Sequence, residues 1–286
     1  MIVTDDYLRY VRYTTLRPEQ KLIQVWHACG AFKKFALDAL TSLSAKEEKL
    51  THSQYTDVCV SSEAVRPFYA SAFGISIDKI KALGVSRTDP LLQPEKIQKL
   101  RENIYSIKPN FKNKIIYLYA PTFREKNKKV IDFDCEIDFD NLENNLKDNE
   151  LFLINRHIAT KNNFIETDRY TKIFDVSQLD TTALLSIADV VITDYSSIIY
   201  ETCLLNKPIL FYCPDYDDYE RDFYLDYPDA LPGNIITDPS ELLEAIRETA
   251  LNGLSEKADK FKAQQLSACD GNANKRICEM ILNYLR

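Results

Sequence analysis

Short apolar runs alternate with stretches of helical periodicity along almost the whole chain. "KLIQVWHACG", "DVCVSSE", "KIIYLYAPTFRE", "LFLINRH", "VVITDYSS" and "KPILFYCPD" each contain an apolar run of strand length that exits through polar residues. Between them, "DTTALLSIA" and "SSIIYETCLL" repeat apolar positions at helical spacing. Continuous apolar strands separated by helices predict an α/β protein with parallel sheets covered on both faces. Ligands of such sheets bind beyond the carboxyl ends of the strands, so the polar exits are where chemistry is expected. The last segment, "LSEKADKFKAQQLSACDGNANKRICEMILNYLR", predicts two helices, with Ile277, Ile281, Tyr284 and Leu285 on a stripe that packs back on the body.

"RTDPLLQPEKIQKLRENIYSIKPNFKNK" is charged, holds three prolines and precedes a fresh strand, which marks a boundary. The expected organisation is a first lobe over 1–90, a linker over 91–112, a second lobe over 113–250 and C-terminal helices over 251–286. Residues 127–150, rich in Asn, Lys, Asp and Glu, read as a solvated insertion around a helix.

Composition narrows the function classes. The net charge of -7 argues against a broad nucleic-acid footprint, while leaving room for local basic loops. Six glycines and no GxGxxG or Walker pattern mean that a bound phosphate would rely on hydroxyls, histidines and helix N-termini. Seven scattered cysteines (Cys29, Cys59, Cys135, Cys203, Cys213, Cys269 and Cys278) without a CxxC pair suit reduced, mostly buried thiols of a cytosolic protein. The sequence has no signal-peptide pattern and no apolar run near the ~20 residues of a membrane span, so a membrane role would be peripheral.

Asp194-Tyr195-Ser196-Ser197 breaks a strand from a helix without a glycine. Hydroxyls at a helix start, where backbone N–H groups are free, make a phosphate seat; the same residues also suit a plain serine N-cap. Asp180-Thr181-Thr182 opens the preceding helix in the same way, with Asp180 as a cap and Thr181 and Thr182 in reach of a second phosphate or a ribose. Of three histidines, His27 and His157 lie at strand exits, one in each lobe, where an imidazole can take a proton from a hydroxyl or bind phosphate. His52 lies in a polar helical stretch and is expected on the surface. Lys33, Lys34, Arg87, Arg124 and Arg156 cluster at the same exits, as a cleft for a nucleoside diphosphate would require. "FYCPDYDDYERDFYLDYPD" carries seven acids and seven aromatics, either as a packed surface loop or as a wall for polyol hydroxyls; the acids lack metal-ligand spacing, and no metal or cofactor is expected.

"QVWHACGAFKKF", "GVSRTD", "YLYAPTFRE", the histidine after "LFLIN", and the block "IADVVITDYSSIIYE" to "NKPILFYCPDYDDYERDFYLDYPDALPG" resemble, in order, the CDP-glycerol and CDP-ribitol polyol-phosphotransferases of teichoic acid synthesis. The resemblance implies a GT-B fold of two Rossmann-like lobes, here with a shortened first lobe. It implies transfer of glycerol phosphate or ribitol phosphate from a CDP-polyol to the end of a lipid-linked polymer, with release of CMP. His27 would be the base and His157 the second essential histidine. Arg87, Ser196 and Ser197 would lie near the donor pyrophosphate, with Arg124, Arg156, Thr181, Thr182 and Asp194 on the donor side and Lys33 and Lys34 on the acceptor side. The implied setting is cytoplasmic, at the inner face of the membrane, with a homo-oligomer as one possible assembly. Three positions depart from the family pattern: glycine is displaced to Gly30 in the first motif, Ser86 replaces a proline before Arg87, and Ile158 replaces a proline after His157. The chain opens partway into the first lobe, which is then either reduced or continued in a longer protein. A sugar-nucleotide glycosyltransferase and a non-catalytic CDP-polyol-binding module are the rival readings.

Overall fold

In a computed structural model, which describes residues 1–41, 43–126, 129–131, 135–157, 166–219 and 222–286, the apolar runs become strands of two separate parallel sheets. The chain divides into two units. The first comprises Met1–Gln93, Arg221–Ala230 and Lys260–Arg286; the second comprises Pro94–Glu220 and Leu231–Asp259.

In the first unit, β1 (Ile2–Thr4), β2 (Leu22–Gln24), β3 (Asp57–Cys59) and β4 (Ile80–Lys81) form a sheet in that order, parallel throughout. Helix α1 (Ala45–His52) starts at Ser44, whose hydroxyl accepts the Glu47 N–H while Glu47 returns a bond to the Ser44 backbone. Helix α2 (Arg66–Phe73) ends at Gly74, which takes the left-handed conformation that a tight helix stop requires. Leu22, Val58, Tyr69, Phe73 and Ile80 form the core of this unit. His52, expected on the surface, is fully buried. The polar helix turns its one imidazole inward, where Glu48 and Tyr55 bond both ring nitrogens.

The second unit opens with α3 (Pro94–Ile107), so most of the segment expected as a linker is an ordered helix packed on the core through Ile104. Strands β5 (Ile115–Ala120), β8 (Glu150–Ile154), β9 (Ile173–Asp175), β10 (Val190–Thr193), β11 (Ile209–Tyr212) and β12 (Asn234–Ile236) make a parallel sheet in the order β12-β11-β10-β5-β8-β9. Strands β6 (Arg124–Lys126) and β7 (Lys129–Ile131) pair as a separate antiparallel hairpin. Side chains alternate between two cores. Tyr117, Tyr119, Phe152, Ile154 and Ile192 meet α4 (Phe139–Asn145) and α7 (Leu242–Asn252) through Leu142 and Ile246. Ile116, Leu118, Leu153 and Val191 meet α3 and α5 (Thr181–Ile187) through Ile104 and Leu184. Two-sided burial explains why these strands read as unbroken apolar runs. Helix α6 (Ile198–Leu204) follows β10. The register Thr193–Ala120 and Tyr119–Ile154 brings the exits of β10, β5 and β8 to one edge.

Helix α8 (Glu256–Gln265) leads to α9 (Ala273–Leu285), whose Ile277, Met280 and Ile281 pack on Ile23 and Cys59 of the first unit. Asp89 accepts the N–H groups of Ala273 and Asn274 at 3.0 and 2.8 Å, capping α9 from a distant part of the chain. Among the described residues no disulfide links the seven cysteines; six are buried and Cys278 is exposed.

Candidate functional site

At the carboxyl edge of the second unit's sheet, the break after β10 is held by a buried ionic knot. Asp194 is fully buried; its carboxylate accepts the Thr122 N–H at 2.9 Å and the Arg124 guanidinium at 2.8 Å. Arg124 turns its other edge to Asp215 in a bidentate pair at 2.5 and 3.0 Å. Burial opposes the Arg124 charge, yet Asp194 and Asp215 outweigh it and raise its pKa. Its guanidinium lies 5.0 Å from the Tyr195 ring, which stacks on Tyr219 at 3.5 Å. Arg124 and Asp194 were expected to face the donor. In the structure they bind each other and, through Asp215, brace the exits of β5, β10 and β11. This ion pair fixes the loop without calling on a glycine.

The residues beyond the knot remain accessible. Ser197 is exposed and stands at the N-cap position of α6, with no side-chain cap bond; the half-buried Ser196 hydroxyl accepts the Ile198 N–H at 3.3 Å. Both serines therefore precede the helix rather than lying in its first turn. Asp180 is the cap of α5, accepting the Ala183 N–H at 2.8 Å. Thr181 is exposed and its hydroxyl accepts from the Asn155 amide at 3.0 Å, while Thr182 is half-buried. At the exit of β8, Arg156 is bound to Asp175 at 2.5 Å, and Asp175 also accepts from the backbone and hydroxyl of Ser177. Although burial works to raise the Asp175 pKa, these bonds hold it below the ordinary carboxylate range. Arg156 thus ties β8 to β9. His157 is exposed, with its ring 4.7 Å from Phe123; Ile158 lies outside the described residues. The Thr122 hydroxyl is buried without a hydrogen-bond partner among the described residues, which leaves a donor and acceptor at this edge.

At the exit of the first unit's sheet, Trp26 takes a left-handed backbone (φ 54°) and turns the chain at His27. The half-exposed His27 ring stacks on Trp26 at 4.6 Å, and its Nδ1 lies 2.7 Å from the Asp5 carbonyl oxygen. A carbonyl only accepts, so Nδ1 carries a proton, and in the neutral ring the lone pair is then on Nε2. Arg87 donates to the His27 carbonyl at 2.7 Å, which joins the β4 exit to the β2 exit. Gly30 adopts φ 60°; its N–H donates to the Ser61 hydroxyl and its carbonyl accepts from the Tyr69 hydroxyl, both at 2.9 Å. The displaced glycine of the first motif is thus clamped from two sides. Lys33 forms a backbone bridge with Phe223, and Lys34 pairs with Asp222 at 3.3 Å.

The acidic-aromatic segment divides its residues between two jobs. Asp215 and Tyr219 belong to the Arg124 knot, whereas Phe223 packs on Phe32 and Tyr224 donates to Asp38 at 2.5 Å; Glu220 and Arg221 lie outside the described residues. Asp175, Asn155 and Ser61 support these strand exits and escaped the sequence reading, which took Asp215 only as one acid of the acidic-aromatic segment. Their signal is faint: each is a single polar residue near a strand end, with partners far away in the chain.

A model of the family described as CDP-Glycerol:Poly(glycerophosphate) glycerophosphotransferase matches residues 1–283. The teichoic acid poly(ribitol-phosphate) polymerase of Bacillus spizizenii is 36% identical over 99% of this chain and 46% of its own length. The ribitol-phosphate polymerase TarL of Staphylococcus aureus is 34% identical over 96% and 50%. The glycerol-phosphate primase of Bacillus subtilis is 32% identical over 100% and 74%. The chain thus spans about half the length of the two polymerases. Among solved structures, the wall teichoic acid polymerase TagF superposes with a TM-score of 0.76 at 26% identity, covering 95% of this chain and 70% of that one. A UDP-GlcNAc 2-epimerase of Neisseria meningitidis, at 17% identity and TM-score 0.57, shares the fold. The fold is GT-B-like, with parallel α/β units.

Proposed function

Because the chain belongs to the CDP-Glycerol:Poly(glycerophosphate) glycerophosphotransferase family, we propose that it transfers a polyol phosphate from a CDP-polyol to an acceptor hydroxyl and releases CMP. The observation that carries the reading is the contact of His27 Nδ1 with the Asp5 carbonyl at 2.7 Å. The Nδ1–H is engaged there, and the half-exposed ring, when neutral, presents Nε2 as a proton acceptor.

In this mechanism His27 Nε2 takes the proton of the acceptor hydroxyl as its oxygen attacks the phosphorus that bears the polyol. The bond from that phosphorus to the bridging oxygen breaks, and CMP departs with the electron pair. His157, Arg87, Thr181, Ser196 and Ser197 are assigned to the donor's phosphates. Lys33 and Lys34 are assigned to the acceptor side, Lys34 with its charge partly offset by Asp222. Thr182 lines the α5 start, while Arg124, Arg156 and Asp194 act from behind by holding the loops. Reactions of this kind depend chiefly on positioning and electrostatic stabilisation. The acceptor is a lipid-linked polyol-phosphate polymer, met by a peripheral protein at the cytoplasmic face. Among the described residues no helix is long and apolar enough to cross a membrane.

The relatives at 36% and 34% identity are named for ribitol phosphate, so CDP-ribitol is the first donor to test and CDP-glycerol the second. CMP release with a short lipid-like acceptor should fall about 100-fold or more in His27→Ala, the range that a general base contributes. Unchanged turnover would remove His27 from the chemistry. A CDP-polyol-binding module would bind CDP tightly in calorimetry and release no CMP with any acceptor. Turnover with UDP- or GDP-sugars would instead mark a glycosyltransferase.

A further inference from the structure

Gln24 is the last residue of β2, fully buried, three positions before His27. A buried amide at a strand end normally weakens the core unless all its hydrogen-bonding capacity is used. Here it is used, and each partner allows one orientation only. The Trp26 N–H can only donate, so at 2.9 Å it faces Gln24 Oε1. The Asp6 carbonyl can only accept, so at 3.0 Å it faces Gln24 Nε2. The second Nε2 hydrogen points to the Tyr55 hydroxyl at 3.2 Å.

The chain of donors continues inward without a break. Tyr55 O–H donates to His52 Nδ1 at 3.1 Å, and His52 Nε2–H donates to Glu48 at 3.2 Å. Burial pushes the His52 pKa down, against the pull of Glu48, which favours the neutral ring and this direction. Tyr7 bonds Glu48 as well, and burial is the main cause of its raised pKa.

Both outward bonds of Gln24 end beside His27. One holds Trp26 in its left-handed turn, the residue on whose ring His27 stacks. The other holds the 5–7 segment, whose Asp5 carbonyl receives the His27 Nδ1–H. We propose that Gln24 is a positioning residue that locks the ring and tautomer of His27 by fixing the Trp26 turn and the Asp5–Asp6 backbone together. The proposal rests on the assignment of His27 as base only for its effect on rate; its effect on the tautomer stands apart from that assignment.

The test is nitrogen NMR of the chain labelled with 15N-histidine, which carries only three histidines, with the His27 signals identified by their loss in His27→Ala. Wild-type His27 should show a protonated Nδ1 and a bare Nε2. Gln24→Met keeps the side-chain length and removes both bond types. It should give a mixed tautomer and a turnover lower by about 10- to 100-fold, with donor KM changed by less than about twofold, as expected when geometry is disturbed and binding is not. Gln24→Glu keeps the acceptor for Trp26 and loses the donors to Asp6 and Tyr55, so it should fall between wild type and Gln24→Met in both readouts. A wild-type Nε2–H tautomer, or a Gln24 variant with the wild-type spectrum and rate, would overturn the proposal. If Gln24→Met does not fold, the wild-type spectrum and Gln24→Glu decide. Should His27→Ala prove fully active while Gln24→Met still mixes the tautomer, the positioning link survives and the base assignment falls.

Discussion

Replacing Asp194 by Asn changes one atom type inside a fully buried knot. The carboxylate accepts from the Thr122 N–H and the Arg124 guanidinium, and Arg124 is itself 5% exposed. An asparagine of the same shape presents one oxygen and one NH2. With donors on both sides, the NH2 must face one of them, so at least one bond is lost. A hydrogen bond to a charged group is worth about 1.5–3 kcal/mol, and breaking one half of a buried ion pair costs about 3–5 kcal/mol. Asp215 still neutralises part of Arg124, which places the expected loss near the lower bound, about 3 kcal/mol. Against a total stability of about 5–15 kcal/mol, this is a large fraction. Urea unfolding followed by circular dichroism, with the slope held as a check, measures it directly. The pair Asp194→Asn and Arg124→Met separates the causes: if an unpaired buried cation is the main penalty, the double variant should be less destabilised than the sum of the two by about 1 kcal/mol or more. A loss under about 1 kcal/mol in Asp194→Asn, with strict additivity in the double variant, would refute the reasoning.

Two further outcomes follow from the same structure. Burial depresses the His52 pKa, so the unfolded chain binds this proton more readily than the folded one. Stability is therefore lost as pH falls through about 6.5 toward the lower folded value, and His52→Gln should flatten the stability curve on the acid side of about pH 6.5. At Gly84 the backbone has φ +88°, and an added Cβ would lie 2.3 Å from the Ala268 carbonyl oxygen. Gly84→Ala should cost more than about 2 kcal/mol, read as a lowered thermal midpoint, because strain and overlap act together.

The alternation of apolar runs was enough to announce parallel sheets, their order along the chain and the place of the polar exits. That information is local: a strand buried on both faces must be apolar along its length, whatever its neighbours are. The shortest strands escaped this reading. Ile80–Lys81 and Ile173–Asp175 span two and three residues, too few to show a period, and they exist only because a neighbouring strand offers its free backbone edge. His52 was misread for a related reason. Its neighbours on α1 are mostly polar, and only the positions of Tyr7, Tyr55 and Phe73 turn that one face into an interior.

The candidate site shows the same division. Residue types and spacing nominated His27, His157 and the serine pair, because an imidazole at a strand exit can take a proton and a hydroxyl at a helix start can bind phosphate, although the serines equally suit a helix N-cap. The tertiary structure decided which charged neighbours are held in ion pairs. Arg124 and Asp194 are 70 positions apart in the chain, and Arg156 and Asp175 are 19 apart. Whether a charge meets solvent, a substrate or an opposite charge depends on which distant residue the fold brings within 3 Å. Coulomb attraction in a dry interior then binds such a pair together, and no local pattern in the sequence records it.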